Sequence, residues 1–321
     1  MRTYLIRRLL LFVPVLLGVT LLVFVVMRVM PGDVAMSILN PDGNSDVDPA
    51  RYEKLREELG LNRPLYQQYG SWIVGIARGD WGHSLRTQAP VLAEIKARLP
   101  LTMEITLLTV LAAISIGIPL GVLMAIRQDG WADYVLRILS IGGVAIPNFW
   151  IGTLMLLGMV VWFHWRPPAG YAAVWDSPWT NLKQVIWPCL ALGYLQSAII
   201  SRMTRSAMLE VLRQDYVRTA WAKGLRERTV VLRHALRNAL LPVVTLVGLQ
   251  FTALMGGTVI MENLWNLPGV GRSLLDAIGF RDYPMIQALV LLFAFFALVG
   301  NLVVDFLYAW LDPRVRYSEG P

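Results

Sequence analysis

Asp215-Tyr-Val-Arg-Thr-Ala-Trp-Ala-Lys-Gly-Leu225, continuing to Arg233-His-Ala-Leu-Arg-Asn-Ala-Leu-Leu-Pro242, is the longest polar, basic passage between two apolar spans of this chain. From Arg202 to Arg237 nine Lys/Arg stand against three acidic residues, Glu210, Asp215 and Glu227. A loop this basic is held on the cytoplasmic side of a membrane. Its inner part mixes small and apolar residues (Ala220, Ala222, Gly224, Leu225) with charges, so it reads as a short amphipathic helix ended by Gly224. Composition alone leaves two readings open: a connector lying on anionic lipid, or a surface built for a partner.

Working outward, the rest of the chain is membrane-like. Its 321 residues are 56% hydrophobic and 16% charged, with mean hydropathy +0.53, which excludes an ordinary soluble globule. The formal charge of +7 sits mainly in this loop and at the two ends, so topology explains it better than nucleic-acid binding does. Arg2, Arg7 and Arg8 precede an apolar run from Leu9 to Met30, too long for a signal-peptide core, which reads as a first span bent at Pro14. Residues 31–98 carry eight Lys/Arg and nine Asp/Glu, a balance compatible with an external segment. Within it, Asp48-Pro49 before Ala50–Leu59 and then Gly60 has the ends of one helix, and Leu65 to Ala77 reads as a second. Further spans are expected at Leu101–Ile126, about Leu136–Phe163 with a break near Gly142–Pro147, Val185–Ser201, Leu240–Met261 and Met285–Leu311. Arg166–Lys183 and Glu262–Pro284 are then external loops. Six crossings place Gly130, Lys223 and both ends inside, with Asn62, Asp176 and Asp276 outside.

Catalysis finds little support. The only Lys-Gly pair, Lys223-Gly224, is in the wrong order for a phosphate-binding loop, and no Gly-x-Ser-x-Gly elbow is present. His83, His164 and His234 lack helical metal-ligand spacing. Cys189, alone, reads as a buried small hydrophobe. Glu104 and Glu262, near the outer ends of spans two and five, are expected to reach interfacial water. Asp305, with Asn301 a turn earlier, is expected to bond within the bundle or face the basic loop. The glycines of spans two and five read as close-packing positions.

The quoted stretch resembles the cytoplasmic loop of ATP-binding-cassette (ABC) transporter permeases, whose general pattern is Glu-Ala-Ala, three residues, then Gly. Aligned on Gly224, Arg218, Thr219 and Ala220 fill the first three positions, so the glutamate and first alanine are absent. The peptide-permease variety of the loop is matched almost throughout, with Trp221 where that family usually carries Arg. Gly79-Asp-Trp-Gly-His-Ser84, Arg98-Leu-Pro-Leu-Thr-Met-Glu104 and Ile146-Pro-Asn-Phe-Trp150 also resemble landmarks of the dipeptide/oligopeptide/nickel importer permeases. So do Pro31-Gly-Asp33, Arg202-Met-Thr-Arg-Ser206, Leu267-Pro-Gly-Val-Gly271, Arg281-Asp-Tyr283 and Asp312-Pro-Arg314.

The resemblance implies an all-α integral membrane protein with six transmembrane helices, the type I ABC importer permease fold, and a small helical external segment after the first span. It implies an N-terminal transmembrane helix at 1–30, an external segment at 31–98, a type-1 transmembrane domain at 99–308 including a coupling loop at 202–239, and a cytoplasmic tail at 309–321. It further implies a bacterial inner-membrane importer of di- or oligopeptides, built with a second homologous permease, two ATP-binding subunits and a solute-binding protein outside. ATP and Mg would be bound by those ATPase subunits, with no cofactor on this chain. Coupling to an ATPase would fall to Tyr216, Arg218, Thr219, Ala220, Lys223, Gly224 and Leu225, small residues allowing close approach and cations pairing with acidic groups. Candidate gate or pathway positions are Pro147, Asn148, Gln250, Gly256, Gly257 and Glu262. Nickel chelates, glutathione or another small solute are the alternative cargo. An ion-coupled secondary transporter, which would need broken helices in repeat-related halves, is the other class considered.

Overall fold

The computed structural model describes residues 2–29, 34–40, 47–58, 60–168 and 170–311. The Pro31-Gly-Asp33 and Asp312-Pro-Arg314 landmarks lie outside the described residues. In chain order the helices are α1 (Arg2–Val29), α2 (Val34–Leu39), α3 (Pro49–Glu58), α4 (Leu65–Ala77) and α5 (Val91–Ile126). Then come α6 (Trp131–Ala145), α7 (Asn148–Phe163), α8 (Pro178–Leu212), α9 (Asp215–Ala222) and α10 (Glu227–Thr229). A π-helical turn, Val230–Ala235, leads into α11 (Leu236–Gly257), followed by α12 (Val259–Leu264), α13 (Val270–Gly279) and α14 (Tyr283–Leu311).

Five stretches are long and apolar enough to cross a bilayer: Leu10–Val29, Val91–Ile126, Pro178–Leu212, Glu227–Gly257 and Tyr283–Phe306. Helices α6 and α7 are long and apolar enough only as a pair, bent by 103° at their junction, either a broken sixth span or a re-entrant hairpin. The expected break near Gly142–Pro147 is therefore a sharp corner between two helices. Its cause is local. Ile146 precedes a proline and takes extended φ −94°, ψ 129°, the conformation that Pro147 forces on its neighbour.

The chain divides into two compact units, residues 1–100 with 268–298, and residues 101–267 with 299–321. In the first, Val23 and Met27 of α1, Val91 and Ile95 of α5, Val270 and Ala277 of α13, and Ile286 and Leu289 of α14 share one core. Two sequence landmarks meet at its edge. The buried Ser84 hydroxyl donates to the Asp282 carboxylate, which also accepts the Leu85 N–H at 3.1 Å. Arg98 donates to the Ser273 hydroxyl at 2.7 Å and pairs with Glu94 at 3.3 Å. The expected external loop at Glu262–Pro284 is thus largely helical: α12 and α13 occupy it. The ends of α3 are the ones its sequence requires, with the Asp48 carboxylate accepting the Ala50 N–H at 3.0 Å.

In the second unit α5 and α8 meet through small residues. A Cβ built on Gly117 would stand 2.8 Å from an Ile200 methyl, and one on Gly121 would stand 2.5 Å from the Thr204 Cβ. Lipid tails are as apolar as leucine, so such helices associate by close fit, and a glycine seam supplies it. Gly248 of α11 is packed likewise, a Cβ there falling 2.3 Å from Val304. Gly256 and Gly257 differ from the expectation for span five: nothing lies within 4 Å of a Cβ at either. Cys189 is buried in the core of Leu101, Ile105, Val185 and Leu192, as expected.

Helices α6 and α8 are also clasped by charge. Asp133, fully buried, takes the Arg205 guanidinium in a two-pronged bond, Nε and one Nη each at 2.9 Å. Arg137 adds a third contact at 2.9 Å and the Asp129 N–H a fourth at 3.0 Å. A carboxylate out of water needs this degree of satisfaction.

Candidate functional site

Span four does not end at Ser201 as expected: α8 runs on to Leu212, so residues 202–212 of the expected loop 202–239 are helix and the connection begins beyond them. Arg213 closes that helix and Gln214 turns extended (φ −74°, ψ 147°), redirecting the chain into α9. One face of α9 is set by spacing: Val217 is 0% exposed and Ala220 6%, three residues apart and therefore on the same side. They pack on Val230, with Val211 and Leu212 of α8 beside them. The other face carries Tyr216, Arg218, Thr219, Trp221 and Lys223, all exposed, with Leu225 just beyond the helix.

Two backbone bonds finish the helix. The Gly224 N–H reaches the Trp221 carbonyl at 2.9 Å and the Leu225 N–H reaches the Ala220 carbonyl at 3.4 Å. This is the double-bonded left-handed cap, and Gly224 takes the φ of +74° that it demands. Nothing lies within 4 Å of a Cβ at Gly224, so within this chain the glycine serves the dihedral and leaves open space above it. The position of α9 is then fixed from the far side of the loop. Asn238 of α11 donates from Nδ2 to the Tyr216 hydroxyl at 2.8 Å and to the His234 carbonyl at 3.1 Å.

Of the coupling candidates, then, Tyr216, Arg218, Thr219, Lys223, Gly224 and Leu225 lie together on an exposed surface. Ala220 is turned inward against Val217 and Val230, so its smallness serves packing within the loop and offers no surface to a partner. Arg218 is lightly held, 3.7 Å from Asp215 with both side chains mostly exposed. Val217, Val230 and Asn238 were not singled out by the sequence. The Val217–Ala220 interval was the available signal for the first.

The pathway candidates do not form one cluster. Pro147 makes the α6–α7 corner, and the Asn148 Oδ1 accepts the neighbouring Phe149 N–H at 2.8 Å. Gln250 is 8% exposed on α11, and its Nε2 has no partner among the described residues. Glu262 is corrected from an interfacial position: it is fully buried. One of its oxygens accepts the Thr102 and Thr258 hydroxyls at 2.8 and 2.9 Å, joining α12 to α5. Glu104 is half-buried, with Asn181 Nδ2 at 3.1 Å and the Tyr171 hydroxyl at 3.5 Å. Burial, and then the charge of Glu104 beside it, pushes the Tyr171 hydroxyl up to about 12, so it stays protonated.

Family comparison places this geometry. Residues 117–317 match the family described as binding-protein-dependent transport system inner membrane component, and residues 1–106 match its N-terminal counterpart. The chain belongs to this family. It is the multi-pass permease subunit of an ABC importer of the inner membrane and works with other components of such a transporter. It is 40% identical over 337 residues to the dipeptide transport system permease protein DppB of Alkalihalophilus pseudofirmus, covering 99% of this chain and 100% of that one. It is 41% identical over 320 residues to the oligopeptide transport system permease protein AppB of Bacillus subtilis, again covering 99% and 100%. With the glutathione transport system permease protein GsiC of Escherichia coli, identity is 39% over 318 residues at the same coverage. Among solved structures, an inward-facing MetNI methionine ABC transporter superposes with TM-score 0.56 at 17% identity, over 70% of this permease and 98% of that chain. An amino acid ABC transporter gives 0.54 at 13%, over 68% and 94%. The fold is that of type I importer permeases, all-α as its sequence implied.

Proposed function

We propose that this permease imports di- or oligopeptides, and that α9 is the element through which ATP hydrolysis on a partner subunit moves it. The observation that carries the reading is the division of α9 into two faces. Val217 and Ala220 bind it to the end of α8, while Tyr216, Arg218, Trp221 and Lys223 are presented outward. A surface held rigidly from behind and exposed in front transmits a push; a connector floating on lipid has no need of the Asn238–Tyr216 bond or of the buried valines. In this reading α9 seats in a groove of one ATPase, with Arg218 and Lys223 meeting acidic groups and the open space over Gly224 admitting the partner's surface. Closure of the ATPase pair then displaces α9 and α8 together.

The assembly comprises a second homologous permease, two ATP-binding subunits carrying ATP and Mg, and a solute-binding protein delivering cargo outside. Both chain ends, Gly130 and Lys223 face the cytoplasm. The solute path runs where the two permeases meet, with Pro147, Asn148, Gly256 and Gly257 as its gate or lining and the buried Gln250 and Glu262 behind them. The peptide assignment is supported by the names of the relatives above, DppB and AppB. GsiC makes glutathione, itself a peptide, the alternative cargo.

Reconstitution tests this. The full complex in proteoliposomes should take up labelled dialanine with Mg-ATP and the binding protein, while the purified permease alone hydrolyses no ATP. ATP hydrolysis by the rigorously pure chain, or uptake unaffected by omitting the ATPases, would sink the proposal.

A further inference from the structure

At the end of α1 a cavity of about 360 Å³ is lined by Arg28 and Arg63, the carboxylate of Asp80, the amide of Gln68, and Trp72 and Trp81. Its polar groups divide by burial: Arg28, Arg63 and Asp80 are exposed to solvent, and Gln68 is buried. Among the described residues neither arginine has a carboxylate partner; Arg28 stands 5.2 Å over the Phe24 ring instead. Gln68 is 9% exposed, and its Nε2 donates to the Leu61 and Arg63 carbonyls at 3.1 and 2.7 Å. Its Oε1, also buried, has no donor among the described residues. Asp80 accepts one N–H, from Gly82 at 3.0 Å. One buried acceptor without a donor, with two solvent-exposed arginines and an exposed carboxylate at the cavity's rim, complements a zwitterion whose cationic end carries N–H groups.

The position of the cavity indicates where such a zwitterion comes from. Arg28 is the penultimate residue of the span Leu10–Val29, so the cavity lies at headgroup depth, where tryptophan and arginine side chains concentrate. On the side of α1 that carries Phe24 and Arg28, Leu17 and Leu21 are exposed and apolar. We infer that this cavity binds the headgroup of phosphatidylethanolamine. The phosphate meets Arg28 and Arg63, the ammonium meets Asp80 and the Gln68 Oε1, and the acyl chains lie along α1. A choline headgroup has no N–H to give the two acceptors, and a glycerol headgroup has no cation for Asp80. A free dipeptide has the same two charges but nothing to cover the α1 face.

The test uses the full chain, delipidated in detergent, titrated with dioleoyl phosphatidylethanolamine, phosphatidylcholine and phosphatidylglycerol and followed by native mass spectrometry. Phosphatidylethanolamine should bind roughly tenfold more tightly than either other lipid, the worth of one charge-assisted contact. Asp80→Asn should erase its advantage over phosphatidylcholine while lipid still binds; Arg63→Gln should weaken all three lipids together. Should Asp80→Asn fail to fold, Arg28→Gln replaces it, with loss of phospholipid affinity as the readout. Equal binding of the three lipids, or intact selectivity in Asp80→Asn, would overturn the inference. So would displacement of the lipid by dialanine, which would make the cavity a peptide site.

Discussion

Gly224 is where the proposed coupling can be separated from loop stability, because two demands on that position rank substitutions in opposite orders. Within the chain the glycine answers only to its φ of +74°, since a Cβ there meets nothing within 4 Å. An alanine in that conformation costs about 1–2 kcal/mol, whereas asparagine and aspartate adopt it more readily. For the isolated permease, the stability of the loop should therefore run Gly, then Asn and Asp, then Ala. A shift of 1–2 kcal/mol changes the capped-to-uncapped ratio by roughly 5- to 30-fold. Contact with an ATPase makes the opposite demand, because the open space over Gly224 would be filled by the partner. Alanine adds one carbon there, asparagine adds bulk, and aspartate adds bulk and a charge of the wrong sign for an acidic groove. Coupling should run Gly, Ala, Asn, Asp, with Gly224→Asp close to uncoupled. The assays are limited proteolysis of residues 202–239 in the isolated chain, and peptide-stimulated ATP hydrolysis and uptake in proteoliposomes. Coupling that merely follows the proteolysis order would remove the partner from above Gly224. Near-normal coupling in Gly224→Asp would leave the loop a lipid-facing connector.

Other substitutions follow from the packing. Ala220→Asp puts a carboxylate against Val217 and Val230, an effective penalty of several kcal/mol, so proteolysis should open the loop in the isolated chain; exposed Arg228→Ala should leave it intact. Asp133→Ala strands the Arg205 guanidinium, while Arg137 keeps Asp129 at 3.6 Å, and should lower stability by about 3–5 kcal/mol, read as a fall in the melting temperature of the purified permease. Gly121→Val overfills the α5–α8 seam and should cost about 1–3 kcal/mol, whereas Gly256→Ala, with open space around it, should melt like the wild type.

The helical ends that carry their own chemistry were legible in the sequence. Asp48, Pro49 and Gly60 mark α3, and Gly224 marks the end of α9, because caps act within a few residues of the backbone groups they satisfy. The helices α12 and α13 were not, since the charged and polar residues between Glu262 and Pro284 read as a loop. The repeat of Val270, Ser273 and Ala277, which turns one face of α13 into the core, was the signal that composition obscured. Glu262 was misplaced for a related reason: its partners Thr102 and Thr258 include a residue 160 positions away, and nothing near Glu262 announces that pairing. The same holds for Asp133 and Arg205, 72 residues apart.

Ala220 shows why a motif and a mechanism are different kinds of knowledge. A small residue at a fixed distance before a glycine is compatible with a partner pressed against it and equally with a neighbour inside the chain. Residue type cannot distinguish them, because both environments exclude bulk for the same steric reason. What distinguishes them is the location of Val230, placed beneath α9 by a chain that first turns at Gly224 and then enters a π-helical turn. That turn carries one extra residue per hydrogen-bonded ring and so shifts which side chains of the following helix face the loop. Asn238, in the first turn of that helix, is the side chain that fixes Tyr216. The motif thus encodes both an outward surface and the support behind it. Substitutions on the inward half should fail through stability, and those on the outward half through coupling.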